Sequence, residues 1–371
     1  MDETAITVIG AGVVGLAVAA ELAARKHAVI VVERNKQFGM ETSSRNSEVL
    51  HAGLYYPPRS LKSSLCIEGR ELLADLAASG CFEAKFIGKL VVAVETSEVP
   101  ALEGLYANAV RCGVKDIELL DGPAARKLEP AVPSIAALYS PNTGIIDSHA
   151  LMLHLYAKAS RDSALFAMNS TADFLEKKRG CLELGVNDGA YRFRSRIVVN
   201  CAGLGAEKIA ALAGMDLDRA GYRVHPCKGD YFAYARRLPI SRLVYPVPRA
   251  AGSVLGVHAT LDRQGRIRFG PDAEYTDELS YKIDSGKRRA FFESAKKLLP
   301  SVELEHLTPD FAGIRPRLQG PGDGFRDFEI NEESGNGLPG LVNLVGIESP
   351  GLTASLAIAK RVGDMCNAIT D

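Results

Sequence analysis

Gly10-Ala11-Gly12-Val13-Val14-Gly15 is the stretch that decides the fold, because it has the G-x-G-x-x-G spacing of a dinucleotide-binding turn. It follows an apolar, β-branched run at 4–9, which is typical of a buried parallel strand. Ala-rich helical sequence continues to residue 25, and a second buried strand at 28–32 ends on Glu33. A strand, a turn, a helix and a strand in this register predict a Rossmann-like unit.

The residue types in this turn each have a physical reason. Gly10 would make the tight turn, Gly12 would let a pyrophosphate approach the backbone, and Gly15 would let the helix pack on the strand. The phosphates would sit at the helix N-terminus, where free N–H groups and the helix dipole favour anions. Glu33 can accept hydrogen bonds from a ribose diol and would repel a 2′-phosphate. The pattern predicts a dinucleotide and leaves open whether it is FAD or NAD.

The composition is that of a soluble protein with more than one domain. The 371 residues are 47% hydrophobic and 24% charged, and 44 basic residues against 45 acidic ones give a net charge of −1. That balance argues against nucleic-acid binding and still leaves room for a local basic pocket. Glycine is in excess, at 35 residues, which indicates close backbone approach to a ligand as well as loops.

The seven cysteines predict neither a disulfide framework nor a metal site, because their number is odd and none form a C-x-x-C pair. Such cysteine usage indicates a reducing compartment. The uncharged run at 4–20 is too short for a membrane span, and Asp2 and Glu3 stand where a signal peptide carries positive charge. We therefore predict a cytoplasmic protein without a transmembrane segment, and leave open a weak peripheral association with the inner face of the membrane.

The dinucleotide-binding part of the chain is predicted to be discontinuous. Buried-strand patterns return at 196–201 and 341–346, whereas short alternating segments separated by Pro and Gly begin after Tyr222 and predict antiparallel sheet. The alternating segments are 229–235, 243–247, 253–257 and 266–269, and the predicted helices are 60–79, 98–112, 147–159, 287–299 and 351–369. The predicted class is α/β with an α+β cap. The Rossmann-like domain would be assembled from 1–84, 145–221 and 312–371, and a mixed or antiparallel β-rich substrate (cap) domain from 85–144 and 222–311.

One motif identifies a family. Thr42-Ser43-Ser44-Arg45-Asn46-Ser47-Glu48-Val49-Leu50-His51-Ala52-Gly53-Leu54-Tyr55-Tyr56-Pro57-Pro58 resembles the L-2-hydroxyglutarate dehydrogenases and oxidases, a branch of the FAD-dependent D-amino-acid oxidase/glycine oxidase superfamily. Similar stretches cover nearly the whole chain: Gly88-Lys89-Leu90, Lys228-Gly229-Asp230-Tyr231, Tyr245-Pro246-Val247-Pro248, Gly256-Val257-His258, Gly313-Ile314-Arg315-Pro316 and Gly346-Ile347-Glu348-Ser349-Pro350-Gly351-Leu352-Thr353. Arg59 departs from the family, which commonly has glycine after the two prolines.

The resemblance implies an enzyme that uses FAD, which we expect to be bound non-covalently. The implied reaction is oxidation of L-2-hydroxyglutarate, or a close 2-hydroxy acid, to the 2-oxo acid by hydride transfer to flavin N5. The partners would be a small anionic substrate and an electron acceptor, either oxygen or a quinone. Two alternatives stay open: an amine oxidase of the glycine oxidase type, and a non-catalytic FAD-binding protein.

The resemblance also implies which residues contact FAD. The Rossmann turn, the polar loop after the second strand and the turn into the last helix are all included. The expected FAD-binding residues are Gly10, Gly12, Val13, Val14, Gly15, Glu33, Arg34, Thr42, Ser43, Ser44, Arg45, Asn46, Ser47, His51, Ala172, Cys201, Ala202, Gly203, Arg315, Ile347, Glu348, Ser349, Pro350, Gly351, Leu352 and Thr353. In this family the last helix would point its N-terminus at the flavin.

A histidine is the expected general base, because its ordinary pKa lies near neutrality. Among the candidates, His51 lies in the motif loop and His258 at the end of a predicted cap strand, and we expect one of them to be the base. A rival role for His51 is covalent attachment of FAD. The histidines at 27, 149, 154 and 306 match no motif and are expected to be structural.

Arg315 is the expected partner of the substrate carboxylate, since a guanidinium offers a planar bidentate fork. The alternative is a buried ion pair that supports the crossover between domains. Tyr245 and Ser349 are further substrate-binding candidates, with cap packing as the alternative for Tyr245. A diacid needs a second cation, and the candidates for it are Lys89, Lys228 and Arg249.

Overall fold

The computed structural model describes residues 2–248 and 256–370. Its strands are β1 (Glu3–Ile9), β2 (Val29–Val32), β3 (Val49–Leu50), β4 (Ala84–Lys85), β5 (Lys89–Ala93), β6 (Glu118–Asp121), β7 (Ala136–Ser140), β8 (Gly144–Ile146), β9 (Leu165–Ala167), β10 (Ala172–Lys178), β11 (Cys181–Val186), β12 (Tyr191–Asn200), β13 (His225–Tyr234), β14 (Leu243–Pro246), β15 (Ala259–Leu261), β16 (Ile267–Phe269), β17 (Glu274–Tyr275), β18 (Leu307–Arg317), β19 (Glu329–Glu332) and β20 (Leu341–Val345). Its helices are α1 (Val13–Ala24), α2 (Leu61–Ala78), α3 (Val99–Arg111), α4 (Gly122–Leu128), α5 (Ser148–Arg161), α6 (Ala206–Leu212), α7 (Leu217–Ala220), α8 (Arg288–Leu298) and α9 (Gly351–Thr370). Over the described ranges, no helix combines the length and apolar character that crossing a bilayer requires.

The first sheet is built around the parallel strands that the sequence predicts. Strand β1 lies between β2 and β12 and pairs in parallel with both, and β20 pairs in parallel with the second half of β12. The full order is β10-β11-β12-β1-β2-β9, with β19 beside β20. Helices α1, α2, α5 and α9 share one apolar core with this sheet. Strands that are distant in the chain therefore lie side by side in this sheet.

The second sheet has the order β17-β13-β16-β15-β14-β5-β7-β6, with β18 beside β13. Most of its pairs are antiparallel, as the alternating segments predict, and β5 and β14 form a parallel pair. The predicted strand at 253–257 falls mainly on 249–255, outside the described residues, and Gly256 and Val257 are not in a strand. Helix α8 packs on this sheet through Phe291 and Phe292.

The two sheets are joined by long elements. Strand β18 pairs with β13 from Leu307 to Arg317, so it runs across the predicted domain boundary at 312. A small third sheet has the order β3-β8-β4, and both of its pairs are antiparallel. The domain limits themselves stay a prediction. The arrangement places the carboxyl ends of β1, β2 and β12 beside β13 and β18 of the second sheet, which is where α/β proteins bind ligands.

Candidate functional site

A cavity of about 980 Å³ lies between the two sheets. Most of the predicted site residues line it: Gly10, Gly12, Val13, Val14, Glu33, Arg34, Thr42, Ser43, Arg45, Asn46, Ser47, His51, Ala172, Cys201, Ala202, Gly203, Tyr245, His258, Arg315, Ile347, Glu348, Ser349, Pro350, Gly351 and Leu352. The predicted residues that do not line it are Gly15, Ser44, Lys89, Lys228 and Thr353. Arg249 lies outside the described residues.

The glycine turn leaves space for a ligand and none for side chains. Gly10 has a φ of 102°, and a Cβ there would lie 2.6 Å from the carbonyl oxygen of Cys201. A Cβ at Gly15 would overlap the carbonyl oxygen of Gly10, which fits its predicted packing role and explains why it does not reach the cavity. The hydroxyl of Ser43 accepts a hydrogen bond of 2.9 Å from the N–H of Val13, the first residue of α1. The 42–47 loop is thus tied to the N-terminus of the helix.

Glu33 fixes the rim of the turn. One of its carboxylate oxygens accepts the N–H of Ala11 at 2.7 Å, and the other accepts the N–H of Asn35 at 2.8 Å. The side chain is buried and lines the cavity. Arg34 beside it forms a salt bridge of 2.9 Å with Glu41. Glu33 therefore stabilises the turn whether or not a ribose also binds to it, and its ribose contact stays a prediction.

The 42–47 loop also contacts the second sheet. Thr42 donates a hydrogen bond of 3.0 Å to the carbonyl oxygen of Ile314, and the hydroxyls of Ser47 and Tyr231 lie 2.9 Å apart. A Cβ at Gly313 would overlap the carbonyl oxygen of Arg45, so the loop and β18 touch backbone to backbone. The loop is therefore held between α1 and β18.

Arg45 is a candidate partner for a phosphate. Its guanidinium lies 4.1 Å from the centre of the Tyr281 ring, and its buried Nε has no hydrogen-bond partner among the described residues. Within that part of the chain no salt bridge joins Arg45 to a carboxylate. A buried guanidinium nitrogen without a partner fits an anionic group that belongs in the cavity.

The turn into α9 contains a buried ion cluster. Glu348 lies 2.8 Å from Nζ of Lys62 and 3.3 Å from Nε of Arg317. Burial alone would raise the pKa of the Glu348 carboxyl, but Lys62 and Arg317 outweigh it and the net shift is downward. Glu348 is thus held ionised beside the cavity, and its cluster carries one net positive charge.

Thr353 supports the site from behind. Its hydroxyl donates to the carbonyl oxygen of Val49 at 3.2 Å and accepts the N–H of His51 at 3.1 Å. Helix α9 therefore holds the backbone of the motif loop in place, although Thr353 itself does not reach the cavity.

His258 and His51 are both neutral. Burial lowers the pKa of His258 to about 3, against a weaker opposing effect of its contact with Gly256, and lowers the pKa of His51 well below its ordinary value. The charge of Lys89 lowers both pKa values further. Nδ1 of His258 lies 3.1 Å from the carbonyl oxygen of Gly256, while the buried Nδ1 of His51 has no partner within the described ranges. Either imidazole can therefore accept a proton.

Arg315 points its charge at the cavity. Its guanidinium donates to the carbonyl oxygen of Asp272 at 3.2 Å and lies 3.8 Å from Sγ of Cys227. No salt bridge joins it to a carboxylate in the described part of the chain, unlike its neighbour Arg317. A structural ion pair, the alternative role for Arg315, would therefore have no carboxylate partner among these residues.

The two lysine candidates for the second carboxylate lie away from the cavity lining. Nζ of Lys228 donates to the carbonyl oxygen of Lys282 and lies 3.5 Å from Asp230. Lys89 is fully buried, 4.4 Å from the centre of the Tyr245 ring and 5.0 Å from that of Tyr55. The structure thus places neither amine where a substrate would touch it.

Some cavity residues are not among those predicted from the sequence. They are Tyr55, Tyr56, Tyr231, Arg317 and Gln319. A signal existed for Arg317, because residues two apart on a strand face the same side and Arg315 was already a candidate. The tyrosines stand inside the quoted motifs, and Tyr56 lies 3.4 Å from the hydroxyl of Ser349.

The residues present fit FAD. The lining of the cavity includes the glycine turn, the turn into α9 and the two neutral histidines. The lining also includes Arg45, whose buried Nε has no hydrogen-bond partner among the described residues. These are the groups that a bound dinucleotide needs.

Comparison with known proteins gives the family. The family model described as DAO, FAD dependent oxidoreductase, matches residues 5–365. An L-2-hydroxyglutarate dehydrogenase from Arabidopsis thaliana is 39% identical, over 96% of this chain and 82% of that protein. Proteins of the same name from Caenorhabditis elegans and Homo sapiens are 29% and 28% identical, over 96% and 97% of this chain and 92% and 88% of theirs.

Solved structures give the same fold. L-alpha-glycerophosphate oxidase from Mycoplasma pneumoniae, with FAD bound, superposes with a TM-score of 0.88 at 26% identity, over 99% of this chain and 95% of that one. Glycine oxidase from Geobacillus kaustophilus superposes with a TM-score of 0.83 at 20% identity, over 99% and 95% of the two chains. The predicted class, α/β with a Rossmann-like FAD-binding domain and a β-rich cap, is confirmed.

The predicted cytoplasmic location is wrong. The relatives from Arabidopsis thaliana, Caenorhabditis elegans and Pongo abelii are all named mitochondrial. The physical reason for the error is that cysteine usage separates oxidising compartments from reducing ones and cannot separate one reducing compartment from another.

The glycine turn, the cavity and its lining agree with a family model that spans almost the whole chain and with a structural neighbour that holds FAD. The predicted cofactor is confirmed as FAD, while its non-covalent attachment stays a prediction. This chain belongs to the DAO family of FAD-dependent oxidoreductases.

Proposed function

We propose that this oxidoreductase converts L-2-hydroxyglutarate, or a close 2-hydroxy acid, to the corresponding 2-oxo acid. One observation carries the proposal: the cavity brings together two neutral imidazoles, His51 and His258, and the guanidinium of Arg315, which has no carboxylate partner among the described residues. An alcohol next to a carboxylate requires such a pair of functions. The relatives named L-2-hydroxyglutarate dehydrogenase support the choice among hydroxy acids.

Arg315 binds the substrate carboxylate in this proposal. It follows Gly313 on β18, where the backbone of Arg45 touches the strand, so one strand contacts both the 42–47 loop and the substrate. Its hydrogen bonds to Asp272 and Cys227 hold the guanidinium without neutralising it. A bidentate grip on the carboxylate fixes the position of the neighbouring carbon.

A histidine accepts the hydroxyl proton. In His258 the carbonyl oxygen of Gly256 accepts from Nδ1, which assigns the ring proton to Nδ1 and leaves Nε2 as the acceptor. The stacked Tyr245 ring, 3.8 Å away between centroids, sets the orientation of the imidazole. His51 lies on the same cavity and is the other candidate. As the base takes the proton, the O–H bond breaks and an N–H bond forms.

The glycine turn, the 42–47 loop and the turn into α9 would hold FAD, which would supply the acceptor for hydride transfer from the substrate carbon, with oxygen or a quinone as the final electron acceptor. The chain contributes the environment for that transfer. The N-terminus of α9 at Gly351 and the positively charged cluster of Lys62, Glu348 and Arg317 stand beside the cavity, where they favour negative charge. The residues predicted to bind FAD and the predicted domain limits are part of the same proposal.

Anaerobic mixing of the purified yellow holoenzyme with substrate tests this function. L-2-hydroxyglutarate should bleach the flavin absorbance, and the D enantiomer should do so far more slowly. Bleaching by glycine and not by hydroxy acids would make the protein an amine oxidase, and bleaching by glycerol 3-phosphate alone would make it a phosphate-ester oxidase. Absence of bleaching by every donor would leave a non-catalytic FAD-binding protein.

A further inference from the structure

Lys89 is a buried amine with an unusual set of neighbours. It is 0% exposed on β5, and its Nζ has no hydrogen-bond partner among the described residues. Instead the amine lies over two aromatic rings, 4.4 Å from the centre of Tyr245 and 5.0 Å from the centre of Tyr55. Lysines this deeply buried are rare unless they are paired. The position therefore calls for a reason other than folding.

Within residues 2–248 and 256–370, the surroundings of Lys89 contain no negative charge that would pair with it. The groups that face it are Tyr55, Tyr245, Cys66 on α2 and, further off, His51 and His258. Burial raises the pKa of the Cys66 thiol to about 12 and raises the pKa of both phenols, so all three are neutral. Among the described residues, the charge of Arg315 also lowers the pKa of His258. The cluster thus consists of one amine and two imidazoles.

The geometry couples the amine to the imidazoles without a direct contact. The Tyr245 ring contacts both Nζ of Lys89 and the His258 ring, at 4.4 Å and 3.8 Å between the relevant centres. The Lys89 nitrogen and the His258 ring are therefore within about 8 Å of each other, and charges interact strongly over that distance where water is excluded. Lys89 does not line the cavity, so it acts behind the site rather than on the substrate.

We propose that Lys89 is a positioning residue for the proton-transfer step: its ammonium, held behind Tyr55 and Tyr245, keeps His51 and His258 unprotonated so that one of them can accept the substrate proton. The proposal rests on the proposed function only in taking one of these histidines as the base.

Proton uptake by the cluster follows a definite order. Burial lowers the pKa of Lys89 to about 7, against a weaker opposing effect of Cys66, and it lowers the pKa of His258 to about 3. On acidification the first proton therefore goes to the amine, away from the substrate, and its charge then opposes protonation of the imidazoles. At pH values above the pKa of Lys89 its amine is neutral, and there both imidazoles stay unprotonated without its charge.

Lys89→Met and Lys89→Gln remove the charge, and Lys89→Arg keeps it. With each FAD-loaded variant, the rate of anaerobic flavin reduction by L-2-hydroxyglutarate would be measured from about pH 3 to about pH 9, because the acid limb follows imidazoles whose pKa values are lowered by burial. We expect the acid limb of the two neutral variants to move upward by about one pH unit, so that the rate on that limb falls about tenfold. The Lys89→Arg limb should stay where it is in the wild type. Lys360→Met, which removes an exposed lysine on α9, should leave the profile unchanged.

A second readout is independent of turnover. Ring-labelled histidine signals in substrate-free holoenzyme report protonation of His51 and His258 directly, assigned by His51→Gln and His258→Gln. In Lys89→Met these signals should titrate at higher pH than in the wild type. An unchanged acid limb together with unchanged histidine titration in a neutral variant that retains FAD would overturn the role of Lys89. A wild-type enzyme that L-2-hydroxyglutarate fails to reduce would overturn the proposed function instead, and the titration would still decide the role of Lys89.

Discussion

The imidazole of His258 stacks on the phenol ring of Tyr245, with 3.8 Å between centroids and 18° between planes. The stack fixes the orientation of a candidate base through the ring, and Tyr245 also lines the cavity, where its hydroxyl is a candidate substrate contact. The two roles of Tyr245 can therefore be separated.

Tyr245→Phe should keep the stack and lose only the hydroxyl, with a cost of about 1 kcal/mol in kcat/KM. Tyr245→Leu should lose the stack as well and reduce the rate of flavin reduction more strongly than Tyr245→Phe does. Stopped-flow measurement of flavin reduction compares the two variants. Equal losses in both would show that the ring does not position the base.

Substitution of the base should nearly abolish flavin reduction. His258→Ala or His51→Ala, whichever removes the base, should slow the step by about 10²–10⁴-fold, since general base catalysis contributes that much. His149→Ala on the exposed face of α5 is the matched control and should behave as the wild type. Near-normal reduction in both single variants would contradict an alcohol oxidation that depends on a histidine.

Arg315→Lys should raise KM for the hydroxy acid, because an ammonium keeps the charge and loses the bidentate fork. Arg315→Met should cost about 1.5–3 kcal/mol in kcat/KM, as expected for hydrogen bonds to a charged group. Steady-state kinetics measure both effects. Arg289→Met, which removes an exposed arginine of α8, serves as the control, and equal behaviour of the two methionine variants would exclude Arg315 from the substrate site.

Gly313→Ala should loosen FAD binding. The added Cβ would overlap the carbonyl oxygen of Arg45, so the 42–47 loop would have to move off β18, at a cost of about 1–3 kcal/mol. The ratio of flavin to protein absorbance after purification, together with Tm, reports the change. Gly335→Ala, where a Cβ meets open space, should retain both values.

Lys89→Met should make the protein more stable at neutral pH. The pKa of Lys89 is about 7 in the folded protein against 10.5 for an ordinary lysine, so between these values the unfolded chain binds more protons. The wild-type free energy of unfolding should therefore rise with pH across this window, and the Lys89→Met variant should lack that part of the rise. Urea unfolding at several pH values measures it, and identical slopes for both proteins would contradict a depressed pKa for Lys89.

The cofactor end of the site was predictable because its information is local. Gly10, Gly12 and Glu33 belong to one strand-turn-helix-strand unit, and the spacing of that unit defines where each residue lies. Arg315 and His258 could be proposed from their motifs, and the structure brings both to the cavity lining.

The second cation could not be predicted for a physical reason. Lys89 begins a strand that pairs with β14 on one side and β7 on the other, and these pairings join residues far apart in the sequence. These pairings place the Tyr245 ring over the amine of Lys89, so that a lysine predicted to contact the substrate is buried instead. Lys228 is withdrawn in a similar way by Lys282, which is distant in the chain.

The contact between Thr353 and the backbone at Val49 and His51 has a consequence for biosynthesis. The motif loop is translated well before the helix that holds it, since 302 residues separate His51 from Thr353. Strand β1 likewise has one edge unpaired until β12 has been translated. The nascent chain therefore carries a nucleotide-binding unit that lacks these contacts until α9 has been translated.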